Sequence, residues 1–273
     1  MEINKFYNED CKATMERMVA EGMSCDVILT SPPYNTSRKN TGQKSIDTHS
    51  ARYDVYFDLG SQEDYLNWCV ELFNMFDKVL NKDGVVLWNV SYGNDTQQNT
   101  NGVGTMFLSI AKIMQESNFT IADRITWKKG SALPNNVSPN KLTRIVEDVY
   151  VFVRKSEFKT FKANKEVSSV RENGQKMYKN YFNFIEARNN DGSNKLNKAT
   201  FSSDLVRQLL GLYAPKGSLI YDPFMGTGTT AKGALEMGCK FIGSEISTAQ
   251  VEYSIDRLKN EIVSQPMAID FGE

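Results

Sequence analysis

The sequence holds one histidine, His49, and four cysteines, Cys11, Cys25, Cys69 and Cys239, scattered over 273 residues. One histidine excludes metal sites built on several imidazoles. A Ser-His-Asp triad would have to rest on His49, in a polar stretch that reads as loop. There is no Cys-x-x-Cys pair, so neither a structural zinc site nor a disulfide framework is expected, and a reducing cytoplasm is the default. Long apolar runs are also missing. Nothing approaches the ~20 residues that span a bilayer. The opening MEINKFYNED has no basic start followed by an apolar core, so no signal peptide is expected. The expectation is a cytoplasmic protein with no membrane partner and no metal.

An excess of charge of one sign is lacking too: the formal net charge is −1. The balance is uneven along the chain, however. Residues 124–198 carry 16 Lys/Arg against 7 Asp/Glu, and the remainder 16 against 26. A basic segment therefore sits on an acidic body. Such a segment is either a solvated surface or a strip that faces phosphates, where Lys and Arg release counterions and supply sequence-independent affinity. Hydrophobic residues make up 40% and charged residues 24%. Both values are ordinary for one sizeable core.

The apolar pattern alternates between short β-rich runs and longer helical ones. Strands are expected at 3–8, 26–30, 85–88, 119–127, 148–153, 218–222 and 240–245. Helices are expected at 12–22, 61–80, 104–116, 202–212, 229–237 and 247–263. The helix at 61–80 shows its start: Ser61 with Asp64 three later resembles a capping box. Gly84 breaks the chain before Val85. Strands alternating with helices predict an α/β fold, a doubly wound and mostly parallel sheet covered on both faces. Ligands in such sheets sit at the carboxyl ends of strands. The helical and strand periods fade between 155 and 198. The chain thus divides into 1–154, an insertion at 155–198, a second half of the same domain at 199–264 and a tail at 265–273.

Three strand ends carry chemistry. The run Asp222-Pro-Phe-Met-Gly-Thr-Gly-Thr-Thr230 is an acid, a glycine-rich turn and a helix start. Glycines let the backbone approach a ligand closely, and free N–H groups at the helix start hold an anion. It is not a P-loop, since no Gly-Lys-Ser/Thr follows. Glu245 ends the next strand, roughly 20 residues on, where an acid accepts hydrogen bonds from ribose hydroxyls. The third end is Thr30-Ser-Pro-Pro-Tyr-Asn35. Pro32 and Pro33 remove two backbone donors and stop the strand. Tyr34 beside them offers a flat face for stacking on a base.

Ser31-Pro-Pro-Tyr34 resembles the Asp/Asn/Ser-Pro-Pro-Tyr motif of the amino-methyltransferases of DNA, and Asp222-Pro-Phe-Met-Gly-Thr-Gly-Thr229 resembles their S-adenosylmethionine motif. The catalytic motif comes first, which matches the beta group of that family. The resemblance runs from about residue 5 to about residue 262. It implies a Rossmann-like, circularly permuted sheet of seven strands. The strand neighbouring the one that ends at Glu245 would then come from the N-terminus, near Tyr7 to Asp10.

The resemblance also implies roles. Ser31 Oγ and the Pro32 carbonyl accept the two amino hydrogens of a flipped base, with Pro33 fixing the turn and Tyr34 stacking. Asp222, Phe224, Gly226, Gly228 and Thr229 surround the methionine part of S-adenosylmethionine, with Thr30 beside them. Glu245 takes the ribose and Asp10 the adenine. Thr200, Phe201 and Ser202 fall where the family has a further cofactor segment, although its usual His-Pro or Lys-Pro pair is absent. Arg38, Lys39, Lys128, Lys129, Lys141, Arg144, Lys176 and Lys179 are the candidates for contact with double-stranded DNA. Tyr178, Tyr181, Phe182 and Phe184 either recognise the target or form a small core for the insertion. A serine at the first catalytic position leans toward cytosine N4 over adenine N6. An RNA substrate and a non-catalytic binder on the same fold are the alternatives. A homodimer and a cognate restriction endonuclease remain open as partners.

Overall fold

In the computed structural model, residues 1–34, 61–91, 105–132, 142–192 and 200–262 are described, together with 134, 136 and 139. Arg38, Lys39, His49 and Lys141 lie outside the described residues.

Ten strands and six helices follow in chain order among the described residues. They are β1 (Lys5–Tyr7), α1 (Cys11–Ala20), β2 (Cys25–Thr30), α2 (Gln62–Val79), β3 (Leu80–Val90), α3 (Thr105–Glu116), β4 (Phe119–Lys129) and β5 (Val146–Arg154). Then come β6 (Val167–Val170), β7 (Lys176–Tyr178), β8 (Phe184–Ala187), α4 (Ser203–Tyr213), β9 (Leu219–Asp222), α5 (Thr229–Glu236), β10 (Lys240–Ser244) and α6 (Thr248–Ile262).

The strand order is β1-β10-β9-β2-β3-β5-β4-β8. The first five strands run parallel, β5 is antiparallel to β3 and β4, and β8 lies parallel to β4. The N-terminal strand completes the sheet beside the C-terminal one, with Phe6 opposite Gly243. This is the permuted order that the motifs implied. Among the described residues the sheet has eight strands rather than seven. The extra one, β8, comes from the end of the 155–198 segment. At four residues, with only Ile185 and Ala187 buried, it is too short to show in the pattern.

Alternation along the strands builds two cores. In β2, Val27 and Leu29 face α4, α5 and α6, while Cys25 and Ile28 face α1, α2 and α3. In β3, Val85 and Leu87 face the first layer, and Val86 and Trp88 the second. A sheet covered on both faces needs near-continuous apolar strands, which is why these runs show no polar alternation. The second layer centres on Phe73. Its ring lies 5.2 Å from Trp88, 4.8 Å from Phe152 and 5.4 Å from Phe119, all three edge-on. Helix α2 starts as expected, with Ser61 Oγ accepting the Asp64 N–H at 3.1 Å. Strand β3 begins at Leu80, earlier than the expected break at Gly84. Gly84 is required there by close packing: a Cβ would lie 2.9 Å from the Asp26 carbonyl.

Packing of α4 on α5 gives a test of the fold. A Cβ on Gly233 would come within 2.3 Å of Val206 Cγ1 and 2.7 Å of Val206 Cβ. Valine is stiff at χ1 and cannot swing aside. Gly233→Ala is expected to cost about 1–3 kcal/mol through overpacking. That should appear as a lower midpoint in urea or thermal unfolding. An unchanged midpoint would mean that the two helices do not meet this closely.

The 155–198 segment carries its own two-stranded sheet, β6 antiparallel to β7. Its aromatics do not form a core: Phe182 is 80% exposed, and Tyr178, Tyr181 and Phe184 are 40–48% exposed. Each of the four cysteines is a buried free thiol. Burial pushes the Cys69 thiol up to about 12 and the others upward as well.

Candidate active site

From β9 the chain moves outward to β10, with the N-terminal β1 beyond it, and from β2 it moves the other way to β3. The crevice between the carboxyl ends of β9 and β2 is therefore the topological switch point of the sheet, where ligands bind. Both motifs open onto it, one from each strand.

Asp222 ends β9 and is 2% exposed. Its Oδ1 accepts the Thr30 hydroxyl at 2.6 Å and the Phe224 N–H at 2.9 Å. Its Oδ2 accepts the Thr230 hydroxyl at 2.5 Å. One carboxylate thus ties the end of β2, directly before Ser31, to the turn and the first residues of α5. These three partners are neutral. Burial dominates and pushes the carboxyl up from 3.8 to about 6, against the pull of its hydrogen bonds. Thr30 is fully buried, with its hydroxyl committed to Asp222.

The turn after Asp222 needs its glycines. Gly226 and Gly228 have φ of 54° and 78° in the left-handed region. A Cβ on Gly228 would also lie 3.0 Å from Ser254 Cβ. The turn is closed by Met225 N–H to Ser244 O at 2.9 Å and Gly228 N–H to Met225 O at 3.0 Å. Thr229, 5% exposed, opens α5. Phe224 is half-buried, with its ring 5.6 Å from Trp68 of α2.

Glu245 follows β10 and faces the turn. Its Oε2 accepts the Gly226 N–H and its Oε1 the Ser247 N–H, each at 2.9 Å. Asn8 donates to the Glu245 carbonyl at 2.9 Å and so joins the end of β1 to this site. Asp10 lies further along than its expected place at the end of a strand. Strand β1 stops at Tyr7, and Asp10 is the exposed N-cap of α1, its Oδ1 accepting the Lys12 N–H at 2.8 Å. The reason is local: an aspartate before a helical run satisfies one of the free N–H groups of the first turn.

At the end of β2, Pro32 is buried and Ser31, Pro33 and Tyr34 are half-buried. Ser31 Oγ and Tyr34 Oη lie 2.7 Å apart, in hydrogen-bond contact. The tyrosine ring packs against the core of the α1–α3 face.

Ser202 is not on the turn. It is fully buried, caps α4 by accepting the Leu205 N–H at 3.3 Å, and donates to the Arg188 carbonyl at 2.8 Å. Thr200 is half-buried and Phe201 is 9% exposed.

Several of the basic candidates are already paired. Lys128 reaches Glu186 at 2.9 Å, Lys129 holds Glu147, and Lys179 holds Glu166. The Lys129 ammonium also lies 5.1 Å from the Trp127 ring centroid. Arg144 and Lys176 are exposed. Lys165 sits over Tyr178 and Tyr181 at 5.8 and 6.0 Å, so lysine and aromatic rings alternate on the β6–β7 surface.

Sequence reasoning missed three contributors, Ser254, Arg257 and Asp191. Arg257 donates to the Thr227 carbonyl at 3.1 Å and to Asp191. Their signal was faint: a serine and an arginine on the same face of a helix as Val251 and Leu258.

A doubly wound sheet thus sets a Ser-Pro-Pro-Tyr motif and a glycine turn facing each other across its switch point. The DNA methylase family, of the N6/N4 amino type, matches residues 25–256, and the chain belongs to that family. It is 27% identical to the orphan methyltransferase M.BamHII of Bacillus amyloliquefaciens, over 87% of this chain and 90% of that protein. It is 24% identical to the type II methyltransferase M.BglII of Bacillus subtilis, over 95% of this chain and 70% of that one. Among solved structures it is similar in fold to the cytosine-N4-specific PvuII DNA methyltransferase, with a TM-score of 0.68 at 16% identity, covering 99% of this chain and 89% of that one. It is similar also to M1.HpyAVI in complex with SAM, with a TM-score of 0.59 at 17% identity, over 93% of this chain and 98% of that one.

Proposed function

We propose that this chain transfers a methyl group from S-adenosylmethionine to the N4 amino nitrogen of a cytosine flipped out of duplex DNA. The observation that carries the reading is the 2.6 Å link from Thr30 to Asp222, which joins the catalytic motif to the cofactor turn across the switch point. S-adenosylmethionine supplies a methyl on a sulfonium. The residues present suit it. Asp222 is a buried carboxylate with neutral hydrogen-bond partners, a setting that favours an ammonium such as that of the methionine part. Glu245 stands at the end of the next strand for the ribose, and Asp10 and Asn8 border it on the adenine side.

The chain's own task is the acceptor. An exocyclic amine has its lone pair spread into the ring. Ser31 Oγ and the Pro32 carbonyl accept its two hydrogens and localise that pair on nitrogen, and Tyr34 stacks on the extruded base. The contact between Ser31 Oγ and Tyr34 Oη gives way as the amine arrives. Serine at the first position, a weaker acceptor than a carboxylate, favours cytosine N4 over adenine N6. The exposed Lys176, Tyr178, Tyr181 and Phe182 form the surface that tracks the DNA, with Arg144, Lys128, Lys129 and Lys179 along its edge and Arg38, Lys39 and Lys141 completing the basic set. The cytoplasm is the expected compartment.

Labelled methyl transfer to mixed-sequence duplex DNA, followed by nucleoside digestion and mass spectrometry, tests this. N4-methylcytosine is expected. N6-methyladenine would overturn the choice of base. Label in RNA and none in DNA would overturn the substrate, and intact cofactor binding without any transfer would point to a silent binder.

A further inference from the structure

The glycine turn is held from behind by α6, and the holding groups lie outside both motifs. Ser254 Oγ is 3.0 Å from the Gly226 carbonyl and 2.7 Å from the Gln250 carbonyl. One turn on, Arg257 donates to the Thr227 carbonyl at 3.1 Å and to the Thr229 hydroxyl at 3.2 Å. Its remaining donors go to Asp191 and, at 3.3 Å, to Glu261. Arg257 is only 8% exposed. Asp191 is fixed in turn by the N-terminus of α4, accepting the Ser203 N–H at 2.8 Å and the Ser203 hydroxyl at 3.0 Å. A single guanidinium thus fastens three parts of the chain: the end of the basic segment, the start of α4 and the outer side of the turn.

We infer that Arg257 and Asp191 are positioning residues for the cofactor, setting the shape of the turn that holds it. The inference rests on the reading that S-adenosylmethionine occupies this turn. Two successive carbonyls, those of Gly226 and Thr227, are drawn toward α6. On the opposite side, the Gly226 N–H is directed to Glu245 at 2.9 Å. A turn with left-handed residues at 226 and 228 has several backbone alternatives. Outward hydrogen bonds to two carbonyls and a hydroxyl select one of them before the ligand arrives, which lowers the ordering cost of binding. The planar fork of arginine suits this task, since it serves the turn and a carboxylate at once. A lysine ammonium has no such fixed geometry. Asp191 has the complementary role. Without its charge the guanidinium would be buried with Glu261 as its remaining acidic partner, and Glu261 is shared with Lys232.

The test uses the full chain with Asp191→Asn, Arg257→Gln and Arg257→Lys. Affinity for S-adenosylmethionine and for S-adenosylhomocysteine is measured by equilibrium dialysis, unfolding without ligand by melting, and transfer rate at saturating cofactor. Asp191→Asn and Arg257→Gln are expected to weaken both ligands about tenfold. The two ligands differ only in the methyl and the positive charge on sulfur, so both should be weakened to a similar degree. Arg257→Lys should recover part of the loss. The transfer rate at saturating cofactor should stay within about twofold of wild type, so the effect falls on KM for the cofactor. Unchanged affinities in variants whose melting falls would overturn the inference, leaving the pair a purely structural one. So would a transfer rate that collapses while affinity is kept. If Arg257→Gln does not fold, Asp191→Asn and Arg257→Lys decide the question. A wild-type protein that binds the cofactor but methylates no DNA would instead remove the proposed function and leave this comparison readable.

Discussion

Ser31→Ala is expected to slow methyl transfer by about 100- to 1,000-fold, the usual loss when a hydrogen-bond partner aimed at the reacting group is removed. Cofactor affinity should stay within about twofold of wild type, because the cofactor turn is built from β9, α5 and α6 and makes no use of the Ser31 hydroxyl. Stability should change little, since Ser31 is half-buried and its contact is a single hydroxyl-to-hydroxyl bond with Tyr34. Single-turnover transfer alongside equilibrium dialysis separates the two effects. Parallel loss of transfer and cofactor affinity would refute the role given to Ser31 and would make the end of β2 part of the cofactor site.

Asp222→Asn should move function and stability in opposite directions. The buried carboxyl titrates near 6 instead of 3.8 because burial disfavours its charge. A raised pKa means that the folded state holds the proton more tightly than the unfolded chain. The stability associated with that proton is fully present below about 3.8 and is lost as pH rises through about 6. Above that the charge costs about 3 kcal/mol in the empty protein, on the order of 1.4 kcal/mol per pH unit. Asparagine is close in shape and uncharged, so the empty variant is expected to melt higher than wild type at pH 8. Its affinity for S-adenosylmethionine should fall at least tenfold, since the ammonium of the methionine part loses its counter-charge. Wild-type affinity should likewise weaken as pH drops below about 6, by up to tenfold per pH unit, because a cation binds the ionised form. A variant that melts lower at pH 8 yet binds normally would show that Asp222 serves only to tie Thr30 to Thr230.

The contrast between Asp222 and Asp10 shows how far residues alone lead. Both are acids near the ends of strands, and the resemblance gives both to the cofactor. The structure buries Asp222 against β2 and α5 but leaves Asp10 exposed, where its carboxylate caps α1. Ser202 differs in a similar way. Its place in the chain suggested the cofactor, yet its hydroxyl caps α4 inside the protein. Asp, Ser and Thr fit helix caps and ligand sites equally well, and the sequence does not show which neighbours each side chain meets. The basic segment is a third case. Counted along the chain it is strongly positive, but Lys128, Lys129 and Lys179 each meet an acid that pairing across strands brings close.

What the sequence determined by itself was the alternation of strands and helices and the two strand-end motifs, whose resemblance to the DNA amino-methyltransferases implied the permuted strand order. The first two rest on local signals: apolar runs of the right period, prolines that stop a strand and glycines that permit a left-handed turn. Its two motifs are each contiguous, so a linear reading finds them. Tertiary structure alone decided the rest. It brought Thr30 to Asp222, residues 192 positions apart in the chain. It gave the sheet an eighth strand and exposed the aromatics of the β6–β7 region. It also set Arg257 of α6 and Asp191 of the basic segment behind the glycine turn. Contacts of that range leave no period or motif in a sequence, because they depend on how layers stack on the sheet rather than on which residues are neighbours in the chain.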